Sequence, residues 1–353
     1  MSDPRERLRE AANEAHERVR IAQEQMREAQ ERAAALGREY AHEAQERAKT
    51  VSATMPPGLP KRLLSAFVGI PLILALIFVE VWPDRFPGIV FTLAVALIAL
   101  ICASEYFKAL KHRGFRPNEQ LSYIGVVVLQ FAAWNVSRGQ LVNFLPVMLV
   151  VLTIATLINQ VLRRESEPVA NLGVTLFGVA YVGWLVSYLV FLRSLLPGQS
   201  IAIPLPWGDG PSVSYGAWLT LYVIAVTWMT DTGAYAFGVR FGKNSRKLAP
   251  SLSPNKTVIG AIGGLITATL TSLLWGAWAH LPWYHCLILG PILGALGQVG
   301  DLCESALKRD LGIKDFGGIM PGHGGLLDRF DSLLFTAPIA YYYLALIVPR
   351  IHL

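Results

Sequence analysis

Beyond residue 60, apolar residues come in runs of about twenty, separated by short polar stretches that carry the charge. A helix needs about 20 such residues to cross the hydrocarbon core of a bilayer. The pattern therefore predicts about nine transmembrane helices, near 63–82, 87–105, 121–137, 141–162, 172–195, 216–239, 258–280, 282–300 and 332–349. The first fifty residues follow a different rule. Leu8, Ala12, Ala15, Val19, Ala22, Met26, Ala29, Ala33, Leu36 and Tyr40 repeat at four-three spacing among Glu and Arg, which predicts a polar helix with coiled-coil potential. Alanine at most seam positions makes that association weak, and a solitary solvated helix held by Glu–Arg pairs is an equal alternative. Met55-Pro56-Pro57-Gly58-Leu59-Pro60 breaks the helix. The expected organisation is thus a helix over 1–50, a linker over 51–62 and a membrane domain over 63–350.

The basic residues orient these helices, because cytoplasmic loops are enriched in Lys and Arg. An N-terminus placed inside puts Lys108, Lys111, Arg113 and Arg116 on the cytoplasmic side, with Arg163 and Arg164, then Arg240, Lys243, Arg246, Lys247 and Lys256. Lys308, Arg309, Lys314 and Arg329 follow. The other face receives only Arg85, Arg138, Arg193 and Arg350. Two charged, glycine-bearing stretches, 231–257 and 300–331, then share the cytoplasmic side.

Composition agrees with this reading. Of 353 residues 53% are hydrophobic and 16% charged, against about 25% charged in soluble domains. The expected fold class is an all-α polytopic membrane protein with a cytoplasmic N-terminal helix, in the plasma membrane. The charged N-terminus does not resemble a cleavable signal peptide. A net charge of +6 suits anionic lipid or an anionic substrate and gives no reason to invoke nucleic acid. Cys102, Cys286 and Cys303 form no CxxC pair, which argues against a disulfide framework or a cysteine zinc site.

The candidate chemistry concentrates in GDLCESALKRDLGIKDFGGIMPGHGGLLDRFD, residues 300–331. Asp301, Glu304, Asp310, Asp315, Asp328 and Asp331 offer hard oxygen ligands for Mg²⁺. Lys308, Arg309, Lys314 and Arg329 offer donors to phosphate. The Gly317–Gly325 segment lets backbone N–H groups approach an anion. In the other stretch Asp231 lies inside an apolar run, where a carboxylate is costly unless it serves a polar site. Gly238-Val-Arg-Phe-Gly242-Lys243 falls one residue short of a P-loop and lacks its Ser or Thr, so it reads as a basic phosphate-facing loop. Glu105, at the inner end of the second run, could line the same cavity, but it reads first as an interfacial, solvated glutamate.

The run Ser305, Leu307, Lys308, Arg309, Lys314, Asp315, Gly317, Pro321, His323, Gly324, Gly325, Asp328, Arg329 and Asp331 resembles the signature of the bacterial phosphatidate cytidylyltransferases. Asp231-Thr232-Gly233-Ala234-Tyr235, Leu248-Ala249-Pro250, Ser253-Pro254 and Lys256-Thr257 fit the same family, so the resemblance covers roughly residues 60–350. It implies transfer of CMP from CTP to phosphatidic acid at the cytoplasmic face, by a homodimer. It also implies metal ligation by Asp301 and Asp328, although by chemistry alone Asp331 or Asp315 could substitute. The expected catalytic residues are Lys308, Arg309 and Asp331. The expected substrate contacts are Asp231, Lys243, Ser253, Lys256, Thr257, Ser305, Lys314, His323, Gly324, Gly325 and Arg329. The cofactor is Mg²⁺, with a second cation, K⁺ being one candidate, in the same site. Met320 and Ile259 depart from the family pattern, the second standing where a Glu is expected. The competing reading is a transporter of an anionic solute that uses intramembrane Asp231, against which no internal repeat is evident.

Overall fold

The computed structural model describes residues 59–80, 86–137, 144–163, 167–205, 208–319 and 324–346. The helix expected over 1–50, most of its linker, and Met320 and His323 of the glycine-rich segment lie outside the described residues. In chain order the helices are α1 (Leu59–Phe78), α2 (Ile89–His112), α3 (Glu119–Ser137), α4 (Phe144–Arg163) and α5 (Pro168–Gly178). A π-helical turn, Val179–Trp184, joins α5 to α6 (Leu185–Arg193). After a hairpin of β1 (Ser200–Leu205) and β2 (Gly208–Ser214) comes α7 (Tyr215–Phe241). A second hairpin, β3 (Lys247–Ala249) and β4 (Ser253–Thr257), leads into α8 (Val258–Trp278), α9 (Trp283–Leu311) and α10 (Leu327–Leu346).

Among the described residues, five segments are long and apolar enough to cross a membrane: Ile89–His112, Pro146–Arg163, Pro168–Arg193, Val258–Trp278 and Trp283–Leu311. Outward faces are correspondingly apolar. Ile262, Ile266, Leu270 and Leu274 line one exposed stripe of α8 at a spacing of four, and Val147, Val150, Val151, Ile154 and Ile158 do the same on α4.

The helical class holds, with two short antiparallel hairpins added, Ser200 lying opposite Ser214 and Lys247 opposite Thr257. Ile201, Ile203 and Leu205 alternate with the period of a strand, among prolines and glycines that exclude helix. More consequentially, the charged stretches are not loops throughout. α7 continues to Phe241 and α9 to Leu311, so Asp231, Asp301, Glu304, Ser305, Lys308 and Arg309 are helical residues. Between Gly300 and Gly312 nothing breaks a helix, and Lys308 and Arg309 in the last turn suit the helix dipole. Gly312 then ends α9 at φ 70°, a left-handed conformation that glycine adopts without penalty.

Candidate active site

The polar ends of α7, α8, α9 and α10 are drawn together by small residues. On α8 a side chain at Gly264 would meet the Thr230 carbonyl of α7 at 3.0 Å, and one at Gly260 the Ala234 carbonyl at 2.8 Å. On α9 a side chain at Gly294 would meet Ala268 of α8 at 2.8 Å, and one at Gly300 the Asp331 carbonyl of α10 at 2.8 Å. Backbones approach this closely in membrane helices where small residues line the contact. Ser332 Oγ donates to Gly297 O at 3.0 Å, and Thr227 Oγ1 and Thr336 Oγ1 lie 2.9 Å apart, which fixes the same helices polar group to polar group.

Asp301, Glu304, Ser305 and Lys308 fall at helical positions i, i+3, i+4 and i+7, on one face of α9. That face meets the first turns of α10. One carboxylate oxygen from each of Asp301, Glu304 and Asp331 lies within 4.8 Å of the others. Glu304 and Asp331 are buried and Asp301 half-buried. Two cations hold the edge of this cluster. Lys256, returned to α9 by the β3–β4 hairpin, pairs with Asp301 Oδ2. Lys308 Nζ donates to Glu304 Oε2 at 2.9 Å and to Asp328 Oδ1 at 2.8 Å.

Asp328 is engaged almost completely by the protein. Its Oδ2 accepts from Gly325 N at 2.7 Å and Phe316 N at 3.1 Å. Burial alone would push its carboxyl up, but the Lys308 ammonium and the Gly325 N–H more than offset that and hold it below the usual aspartate value. Asp328 thus closes the glycine-rich segment onto the start of α10. Gly324 supports the closure, with φ at +80° and Asp328 Oδ2 3.0 Å from where its side chain would stand.

Glu105 corrects the sequence reading outright. It is not a solvated interfacial group: it is 3% exposed. Oε1 accepts from Leu326 N at 3.0 Å and Oε2 from Leu327 N at 2.9 Å. It caps the amino end of α10, satisfying N–H groups that the helix itself leaves unpaired and facing the positive end of the dipole. Gly325 has no room for a side chain because Glu105 Oε2 would lie 2.8 Å from it. The glutamate is in an otherwise apolar run, which by itself marks a residue with a specific job.

Thr257 caps α8, its Oγ1 accepting from Gly260 N at 3.1 Å, and Ser253 pairs with Ala249 within the hairpin. Arg309 is exposed and donates to the carbonyls of Leu252 (3.3 Å) and Ile313 (3.4 Å), away from the acids. Lys243, Lys314 and Arg329 are exposed, and no ion pair joins Arg329 to Asp331. Asp231 is also exposed on α7, within electrostatic range of Asp331, Asp301, Lys256 and Arg329. Ser305 is buried beside Glu304. The N–H of Gly325, expected to face phosphate, is instead spent on Asp328. Glu304, one of the six acids able to ligate Mg²⁺ but not among the ligands expected from the resemblance, sits among Asp301, Asp331 and Lys308 because α9 continues as a helix.

The donor set suits a hard divalent cation. It consists of carboxylate oxygens only, and Glu304 Oε1 is buried without a hydrogen-bond partner. An orphaned buried carboxylate oxygen is expensive unless something positive completes it.

Comparison with known proteins adds a family assignment. The profile of the cytidylyltransferase family matches residues 60–347. A phosphatidate cytidylyltransferase from Synechocystis is 33% identical over 303 residues, covering 82% of this chain and 97% of its own. That of Bacillus subtilis is 36% identical over 218 residues, covering 61% of this chain and 71% of its own. That of Staphylococcus saprophyticus is 33% identical over 255 residues, 71% of this chain and 88% of its own.

Proposed function

The chain belongs to the cytidylyltransferase family, and on that premise we propose that it transfers the cytidylyl group of CTP to phosphatidic acid. The products are CDP-diacylglycerol and pyrophosphate. One observation carries the reading to this geometry: Asp301, Glu304 and Asp331 converge at the polar ends of helices whose outer faces are apolar. A site of that kind can serve a water-soluble triphosphate and a membrane-bound acceptor at once.

In the reaction, an oxygen of the lipid phosphate forms a bond to the α-phosphorus of CTP. The bond from that phosphorus to the bridging oxygen breaks, and its electron pair leaves with pyrophosphate. A phosphate monoester is largely ionised at neutral pH, so the acceptor needs no strong general base. The work left to the protein is alignment and neutralisation of charge. Asp301, Glu304 and Asp331 would hold Mg²⁺, with a second cation such as K⁺ beside it. Bound there, Mg²⁺ would neutralise phosphate oxygens and stabilise the leaving group. Lys308 fixes Glu304 and Asp328 relative to each other, and is a strut between helices more than a free phosphate clamp. Exposed Lys243, Lys314 and Arg329 supply mobile cationic donors around the opening, with His323 assigned to the same segment. An apolar cleft lined by Ile73, Ile77, Phe91, Val95, Trp228 and Phe330 offers the acyl chains an apolar surface.

The same reading gives a multi-pass protein of about nine helices in the plasma membrane, working as a homodimer, with N-terminus and site on the cytoplasmic side. The bias of basic residues supports that orientation. The test is purified protein in detergent with phosphatidic acid, Mg²⁺ and CTP labelled in the cytosine. Label entering the lipid phase supports the reading, and a folded protein that moves none overturns it.

A further inference from the structure

No aspartate or glutamate occurs between Asp231 and Asp301. The end of α7 and the start of the hairpin after it fall in that stretch. They carry Arg240, Lys243, Arg246 and Lys247, four cations within eight residues. All four are exposed, and among the described residues none of them forms an ion pair. Lys111, Arg193, Lys256 and Lys308 each meet a carboxylate. Arg240 instead lies over the Phe241 ring, 5.4 Å from its centroid.

Apolar side chains share this surface. Tyr235, Val239 and Phe241 are 74%, 68% and 56% exposed, and Leu248 on β3 is exposed as well. Tyr235 and Val239 are four residues apart and stand on one face of α7. Exposed aromatic and aliphatic groups rimmed by Lys and Arg are the composition of a segment at the boundary of lipid and water.

Packing sets the depth. A side chain at Gly242 would meet Thr257 Oγ1 at 2.8 Å, so the end of α7 is level with the cap of α8. α8 is long and apolar enough to cross a membrane, and its exposed apolar stripe begins at Ile262, just past that cap. The cations of α7 and β3 therefore stand where α8 leaves the hydrocarbon, at the depth of lipid headgroups.

We propose that this surface docks on anionic lipid headgroups at the face of the bilayer. The unpaired cations match the headgroup phosphates in charge, and Tyr235, Val239 and Phe241 match the apolar boundary beneath them. Each basic residue beside an anionic leaflet favours the contact by about 5-fold, and salt screens the attraction. The dock needs neither CTP nor a metal ion. In the reaction proposed above it would gather the acceptor, itself an anionic lipid, at the end of α7 that carries Asp231.

Spin-labelled phosphatidylglycerol and phosphatidylcholine test it, with the full chain in phosphatidylcholine vesicles and no CTP. Electron paramagnetic resonance reads the share of each lipid held against the protein. Wild type is expected to prefer phosphatidylglycerol at low salt. Arg240→Gln/Arg246→Gln/Lys247→Gln is expected to lose most of that preference, a drop of about 5-fold. Lys243 stays unchanged in this variant because it is assigned to the opening of the site. Lys108→Gln/Arg113→Gln/Arg116→Gln removes the same charge from another exposed stretch and is expected to keep most of the preference. Arg240→Lys/Arg246→Lys conserves the charge and is expected to behave as wild type. A wild type without preference, equal loss in the two glutamine variants, or loss in the lysine variant overturns the proposal. CTP that cancels the preference at constant ionic strength would assign the surface to the nucleotide and overturn it too. Wild-type preference in a protein that transfers no label upholds the dock and overturns only the proposed function.

Discussion

Lys308 on α9 and Asp328 on α10 are joined by a 2.8 Å ion pair, and the same ammonium reaches Glu304 at 2.9 Å. One positive charge thus locks together the two helices on which the acids converge. Removing it leaves two buried carboxylates facing each other. Breaking a buried pair from one side typically costs about 3–5 kcal/mol. Lys308→Met is therefore expected to lower the unfolding temperature sharply in detergent as well as to abolish transfer. A variant that unfolds like wild type contradicts the strut role.

Glu105 makes a prediction of a different kind, since it touches no proposed substrate. Glu105→Ala frees the N–H groups of Leu326 and Leu327, at the cost of a lost helix cap, about 1–2 kcal/mol. Glu105→Gln keeps one acceptor oxygen and is expected to fall between Ala and wild type. Transfer rate should decline in the same order, because Asp328 and Asp331 ride on the helix it caps. Equal stability across the three proteins contradicts the cap.

Gly317 supplies an independent check on that contact. A side chain there would collide with Glu105 Oε1. Gly317→Ala is expected to destabilise the wild type and to be much milder in Glu105→Ala, where the obstacle is gone. Additive losses in the double variant would show that the two residues do not meet.

The acids are expected to separate by role. Asp331→Asn removes a member of the carboxylate cluster and should cost transfer about 10²–10³-fold, the scale of losing one charge-stabilising group in a site, with a modest change in stability. Asp328→Asn leaves the cluster intact but loosens the Lys308 and Gly325 contacts, so its defect should show first in unfolding temperature. Comparing the two by rate and by thermal unfolding distinguishes a ligand from a lock.

Chelation should stop transfer without unfolding the protein, because Lys256 and Lys308 hold the acids in place independently of any ion. Activity is expected to return on adding Mg²⁺ within mixing time, read by the label assay. A requirement for slow refolding would show that the cation builds the site.

Much of this was legible in the sequence. Twenty-residue apolar runs announce membrane helices, and each expected run overlaps a helix among the described residues, five of the helical segments being long and apolar enough to cross a membrane. The signature from Ser305 to Asp331 announces the family. What periodicity missed is where the helices stop. Glycine and charge after Gly300 look like a loop, yet no breaker intervenes before Gly312, so α9 carries Asp301, Glu304 and Lys308 on one rigid face. Sequence alone does not single out Glu304 among the six acids for that reason. Glu105 was overlooked because its partners, the N–H groups of Leu326 and Leu327, lie more than two hundred residues away. Asp328 looks like a ligand in sequence because its side chain is acidic and sits in a signature. Only the three-dimensional arrangement shows that backbone donors and Lys308 already occupy it.

The most direct measurement follows two labels through one turnover, with CTP carrying one at the α-phosphorus and, separately, one at the γ-phosphorus. Given phosphatidic acid and Mg²⁺, the account predicts that the α label enters the lipid phase. The γ label should appear only in pyrophosphate, in equal amount. Release of the γ label as inorganic phosphate, or CTP that crosses a proteoliposome membrane intact, would contradict it.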